Sequence, residues 1–242
     1  MPDALADLSL ATVFLAVCVM TVGAALQAAV GMGLGLFVFP FLALLDERFV
    51  PGPMQVGAAV LALGMVRRER SAIEWSGLTV AVAGLLVGTM LGVFALTLVD
   101  TRLLSRVFGA LILLAVALSV SGLRVAPSGP SMLAGGVLAG IMGAMAGIHG
   151  PPIALVLQDS SPSRLRAMLA AFFVVGYAAA ILALAGAGLF GLGQLVLGLL
   201  LVPGAILGFY VGPLLGRYLD RSRLRIAILV TSALSAVGLL LR

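Results

Sequence analysis

Hydrophobic residues in this chain run in long unbroken blocks, with neither the strand alternation nor the single apolar stripe of a surface helix. Six blocks, near 9–30, 75–98, 103–122, 166–185, 191–216 and 223–241, are long enough to cross about 30 Å of hydrocarbon as helices. Four more, near 32–45, 54–66, 131–147 and 149–157, are short or interrupted by glycine or proline, and predict short or broken helices. Unwound backbone carries N–H and C=O groups that lipid cannot satisfy, so these interruptions must line protein or a wet cavity. The expected fold is an all-α polytopic membrane protein of about 8 to 10 membrane segments. Whether the short segments cross or dip in as re-entrant hairpins is left open by the pattern. A hairpin would carry Asp46, Glu47 and Arg48 to depth, at high cost unless they reach water or one another.

Composition excludes the soluble alternative. Of 242 residues 62% are hydrophobic and 10% charged, too few polar side chains to cover a surface in water. The formal net charge is +5 and every basic residue is arginine, which in a soluble protein would point to nucleic acid. Here the arginines lie between apolar blocks, where topology signals belong, and a nucleic-acid partner is excluded. With an outside N-terminus and five segments per half, Arg67, Arg68, Arg70, Arg124, Arg164, Arg166, Arg217, Arg221, Arg223 and Arg225 fall inside; Arg48, Arg102, Arg106 and Arg242 fall outside. The expected location is a bacterial inner (plasma) membrane. Asp3 and Asp7 stand where a cleaved signal peptide would be basic, so the first block is expected to remain as a span. Cys18 is a lone cysteine inside an apolar run and reads as a small core residue.

The chain also resembles itself. A shift of 112 places Gly31 on Gly143, Gly35 on Gly147, Pro40 on Pro152 and Gly64 on Gly176. A shift of 120 superposes Gly84, Gly88 and Gly92 on Gly204, Gly208 and Gly212, and Asp100 on Asp220. Two units follow, 1–126 and 131–242, joined by a linker at 127–130. An odd number of segments per unit makes them inverted repeats, and the loop near 186–191 accordingly lacks the arginines of its counterpart at 67–70. The glycine stripes suit internal helix packing and homodimer contacts equally well.

Two glycine-proline motifs carry a family likeness: Gly31-Met32-Gly33-Leu34-Gly35 followed by Pro40, and Ala146-Gly147-Ile148-His149-Gly150-Pro151-Pro152. With the glycine stripes they resemble the TauE/SafE family of sulfite and sulfonate exporters across nearly the whole chain. The resemblance implies a small permease of about eight annotated segments that moves sulfite, an organosulfonate or a related small anion, often outward. Two departures bear on the cargo: His149 stands where a small residue, often glycine, is usual, and Leu34 lies between the glycines of the first motif.

The residues themselves suggest where an anion would sit. The breaks at Gly31, Gly33, Gly35 and Pro40, and at Gly147, Gly150 and Pro151, each begin a short helix whose first N–H groups have no intrahelical partner. Two such helix starts brought together from opposite sides would aim partial positive charge at one point near the midplane. His149, the sole histidine, suits donation to an anion or proton exchange there, or else bonding to a backbone carbonyl freed by the break. Gln27 and Gln55 flank the first break and can donate amide N–H groups to an oxyanion, or bridge helices. Tyr177 falls opposite Met65 in the repeat, and Asp159, Arg164 and Arg166 suggest a charged vestibule. No residue pattern asks for a metal or cofactor. An enzyme is disfavoured, since Ser119-Val120-Ser121-Gly122 lacks the first glycine of an intramembrane serine nucleophile motif. The competing function is an anion channel or a structural membrane component without carrier activity.

Overall fold

The computed structural model describes residues 8–218 and 220–241. Residues 1–7 and Arg242, used above, lie outside these, and no side chain is described for Arg102, Arg217 or Arg221. The chain forms α1 (Leu10–Val30), α2 (Leu34–Leu45), α3 (Gly52–Glu69), α4 (Trp75–Leu98), α5 (Thr101–Val120), α6 (Gly129–Ala146), α7 (Gly150–Val156), α8 (Pro162–Gly186), α9 (Leu192–Tyr218) and α10 (Arg221–Leu240). Among the described residues seven helices are long and apolar enough to span a bilayer: α1, α4, α5, α6, α8, α9 and α10. Exposed Phe94, Leu98, Leu182 and Leu234 leave an apolar exterior that suits lipid.

Helix bounds follow local chemistry. The stretch expected at 131–147 begins at Gly129, inside the expected linker, because Ser128 and Ser131 close a reciprocal capping box and Pro130 fits the first turn. The stretch expected at 54–66 is longer, since Pro53 is also accommodated in a first turn and the helix runs on through Arg67 and Arg68. Between α2 and α3, the Arg48 guanidinium grips both carboxylate oxygens of Asp46, with its closest approach 2.7 Å. That bond holds the Asp46 carboxyl below the usual carboxylate range.

Side-chain contacts fix the helix directions. The ends of α1, α3 and α5 and the starts of α4, α6, α8 and α10 share one face. There Arg68 reaches the Ala28 carbonyl, Arg164 pairs with Glu74, and Arg225 reaches the Ser119 carbonyl. We call this the arginine-rich face. From the opposite face α1 descends to it, α2 turns back along α1 with Val38 over Gly23, and α3 descends again. From the arginine-rich face α6 rises, α7 turns back with Pro152 and Val156 beside Gly135, and α8 rises again. Gln158 then donates to the Leu123 carbonyl at 2.8 Å, tying the end of this second hairpin to the segment before α6.

The glycine stripes are consumed inside the chain. Added Cβ atoms at Gly84, Gly88 and Gly92 of α4 would strike the backbone of α6 at Leu133, Val137 and Ile141; those at Gly204, Gly208 and Gly212 of α9 would strike the backbone of α1 between Val17 and Ala25. Helix backbones this close gain dispersion contacts that a membrane, lacking a hydrophobic drive between helices, cannot supply otherwise. Gly88→Ala overlaps the Val137 carbonyl oxygen and stands 2.7 Å from its carbon. We expect a loss of about 1–3 kcal/mol and a fall of several degrees in the melting midpoint in detergent. Gly238→Ala in α10, where a Cβ meets nothing within 4 Å, should leave the midpoint unchanged or raised.

Candidate functional site

Each hairpin turns on a glycine in left-handed backbone. Gly31 (φ 100) ends α1 by donating its N–H to the Gln27 carbonyl at 2.7 Å, and Gly147 (φ 64) ends α6 in the same way on the Gly143 carbonyl at 2.7 Å. Gly33 (φ 121) completes the first turn. The two turns meet in the protein interior: a Cβ on Gly35 would overlap the Gly147 carbonyl oxygen and lie 3.1 Å from the Ile148 Cα. Sequence comparison pairs these same two glycines across the repeat.

A small gap of about 10 Å³ marks the junction, lined by Gln27, Gly33, Gly35, Gly147, His149, Gly150 and Pro151, with Leu36, Ile148, Phe173 and Tyr177 completing the wall. This volume holds about one water. Gln55 stands alongside, donating to the Gly143 carbonyl at 3.3 Å. Gly31 and Pro40 do not line the gap. The Arg166 side chain lies over Gly31. Pro40 sits inside α2, where its missing N–H leaves the Leu36 carbonyl free, and Ser232 of α10 donates to that carbonyl at 2.8 Å. Pro40 therefore recruits α10 to the first hairpin.

Helix starts contribute less to the junction than the sequence suggested. The first N–H of α2, on Leu34, already donates to Gln27 Oε1 at 3.2 Å, so Gln27 caps the helix with the oxygen of its amide. Its Nε2 is directed to the Met65 sulfur at 3.9 Å. Helix α7 has seven residues, and Pro151 and Pro152 remove two of its leading N–H groups. Chemistry at the junction rests instead on side chains.

His149 is 1% exposed, and its ring fills space left by two glycines. A Cβ on Gly143 would lie 2.6 Å from its Cε1, and one on Gly176 would lie 2.6 Å from its Cδ2. The Tyr177 ring meets it edge-on at 4.8 Å between centroids. Sequence pairing of Gly143 with Gly31 and Gly176 with Gly64 pointed to these glycines without revealing what they make room for. Among the described residues, four buried side-chain polar atoms lack a hydrogen-bond partner, and three are here: both ring nitrogens of His149, and Gln55 Oε1. Such orphans are rare in folded interiors and mark places where another group belongs. Backbone carbonyls of Gly147 and Gly176 approach the ring, the kind of partner that the second sequence reading gave it.

At the arginine-rich face, Glu69 accepts from Arg166 Nε at 3.1 Å and lies 3.5 Å from Arg68 Nε, while Arg164 pairs with Glu74. These pairs tie α3 and α4 to α8. Ser119 and Ser121 donate to the carbonyls of Ala115 and Leu118 near the end of α5, an ordinary local arrangement.

A family model described as sulfite exporter TauE/SafE matches residues 15–239. No curated protein and no solved structure gave a match.

Proposed function

Because the chain belongs to the sulfite exporter TauE/SafE family of membrane transporters, we propose that it carries a small sulfur oxyanion, sulfite or an organosulfonate, outward through the junction of the two hairpins. The observation that carries this reading is the burial of two polar side chains, His149 and Gln55, with Gln55 Oε1 left without a partner, at the place where both helix breaks meet. An oxyanion accepts from an imidazole N–H, and a hydroxyl or ammonium group on the cargo serves Gln55 Oε1. The lining holds no arginine and no carboxylate. Burying a lone anion in such surroundings costs several kcal/mol, so His149 takes up a proton as the anion enters.

Two inverted units account for the architecture in this reading. Helices α1 to α5 correspond to α6 to α10, the α1–α9 packing corresponds to that of α6 with α4, and the arginine-rich face is cytoplasmic. Contact between Gly35 and its repeat mate Gly147 supports a pseudo-twofold axis through the junction, because only residues on such an axis touch their own equivalents. The gap is too small for an oxyanion, so loading requires the hairpins to part, which favours an alternating carrier over an open pore.

Thermal shift of the purified protein against sulfite, sulfate, thiosulfate, taurine, sulfoacetate and small carboxylates tests the site directly. A ligand at 100 times its Kd stabilises the native state by about 2.7 kcal/mol. We expect a sulfur oxyanion to raise the midpoint by several degrees and carboxylates to leave it unmoved; stabilisation by carboxylates alone would remove sulfur from the reading.

A further inference from the structure

The gap at the junction is small, and the cavities that adjoin it mark the approaches an anion can take. A cavity of about 610 Å³ opens on the arginine-rich face between α5, α7 and α10. Its inner wall includes Met32 of the first break and Pro151 of the second, and Pro151 also lines the gap. A smaller pocket lies between them, sharing Met32 and Arg225 with the cavity and Gly33 and Leu36 with the gap. By contrast, the cavity of about 660 Å³ between α3 and α9 shares no lining residue with the gap.

Arg225 is the basic side chain common to the cavity and the smaller pocket. Its Nη2 donates to the Ser119 carbonyl at 2.6 Å, which lays the side chain along the wall. A guanidinium has five N–H donors, more than this one bond uses, and the side chain lines both the cleft and the smaller pocket. Met32 closes the inner end, its Cβ 3.6 Å from where a Cβ on Gly150 would stand. An unbranched thioether side chain moves aside with little strain. We infer that the cleft between α5, α7 and α10 is the path from the arginine-rich face to the buried junction, with Arg225 attracting the anion and Met32 gating its last step. This inference rests on the carrier reading above and adds to it the route and two residues of its wall.

The test uses the full chain with Cys18, its lone cysteine, replaced by alanine as parent. Leu155→Cys places a thiol on the cleft wall, and Leu63→Cys places one in the α3–α9 cavity. A membrane-impermeant sulfonated maleimide is applied at the arginine-rich face, excess is removed, and labelling and sulfite flux in proteoliposomes are both measured. We expect Leu155→Cys to label and to lose at least 80% of its flux, roughly the effect of blocking a path this narrow, and labelled Leu63→Cys to keep its flux. Arg225→Gln should raise the KM for sulfite at least fivefold and flatten its dependence on ionic strength, with Arg225→Lys restoring part of both. Labelling of Leu155→Cys by membrane-permeant maleimide alone would identify the cleft as a lipid groove and overturn the path. Flux that survives labelling, or an unchanged KM in Arg225→Gln, would overturn it equally. A parent that carries no sulfur oxyanion overturns the carrier reading and the path with it, whereas an active parent with an unblocked cleft overturns the path alone.

Discussion

Gly35→Ala is expected to abolish transport and to lower the melting midpoint by on the order of 10 °C. The added methyl would overlap the Gly147 carbonyl oxygen, stand 3.0 Å from its carbon and 3.1 Å from the Ile148 Cα. All three are backbone atoms of the opposing break, so no side chain can rotate away and one hairpin must withdraw from the other. Overpacking of this kind typically costs about 1–3 kcal/mol, and backbone against backbone belongs at the upper end. Gly150→Ala provides the contrast within the same junction. Its Cβ would meet Phe173 at 3.5 Å and Met32 at 3.6 Å, ordinary contact distances, so folding and flux should be nearly retained. A Gly35→Ala protein that melts and transports like its parent would show that the hairpins do not depend on touching.

His149 carries the second large expectation. If the imidazole takes up a proton as the anion is buried, acidifying the compartment from which the anion loads raises transport, by up to about tenfold per pH unit where proton binding is limiting. The sign follows from charge: proton and anion enter a lining without other ionised groups, so each favours the other. His149→Ala should transport poorly and show no pH dependence near neutrality. Because alanine also empties the hollow between Gly143 and Gly176, His149→Gln is the companion variant, keeping bulk and hydrogen bonding without the titration. A folded His149→Gln protein with the parent's pH profile would remove His149 as the coupling group.

Features that depend on one residue's own chemistry were legible along the chain. The run at 75–98 is uninterrupted, and α4 occupies those residues. Gly31 and Gly147 end helices because only glycine takes positive φ without strain, and glycine inside an apolar run announces that break. Features that depend on partners were not. Gln27 was read as a donor to an oxyanion or a bridge between helices; that its oxygen caps α2 follows only from the fold of the first hairpin. Pro40 was read as part of the site, but its effect is to free a carbonyl for Ser232, 192 residues later in the chain. The Pro151-Pro152 pair was visible as a break and was read as opening a helix-start anion site, but α7 has seven residues and its two prolines carry no N–H groups to offer. The pairing of Arg164 with Glu74 and of Arg166 with Glu69 likewise joins residues about 90 or more positions apart in the chain.

Carrier and pore differ most clearly in counterflow. Proteoliposomes holding the protein would be loaded with unlabelled sulfite and diluted into a trace of radiolabelled sulfite, with uptake followed over time. A site that must close around one anion before opening to the other side exchanges bound cargo faster than it returns empty. The account therefore predicts saturable uptake of label, accelerated by unlabelled sulfite on the opposite side and lost in Gly35→Ala. Uptake that rises linearly with concentration and ignores the anion on the opposite side would contradict it.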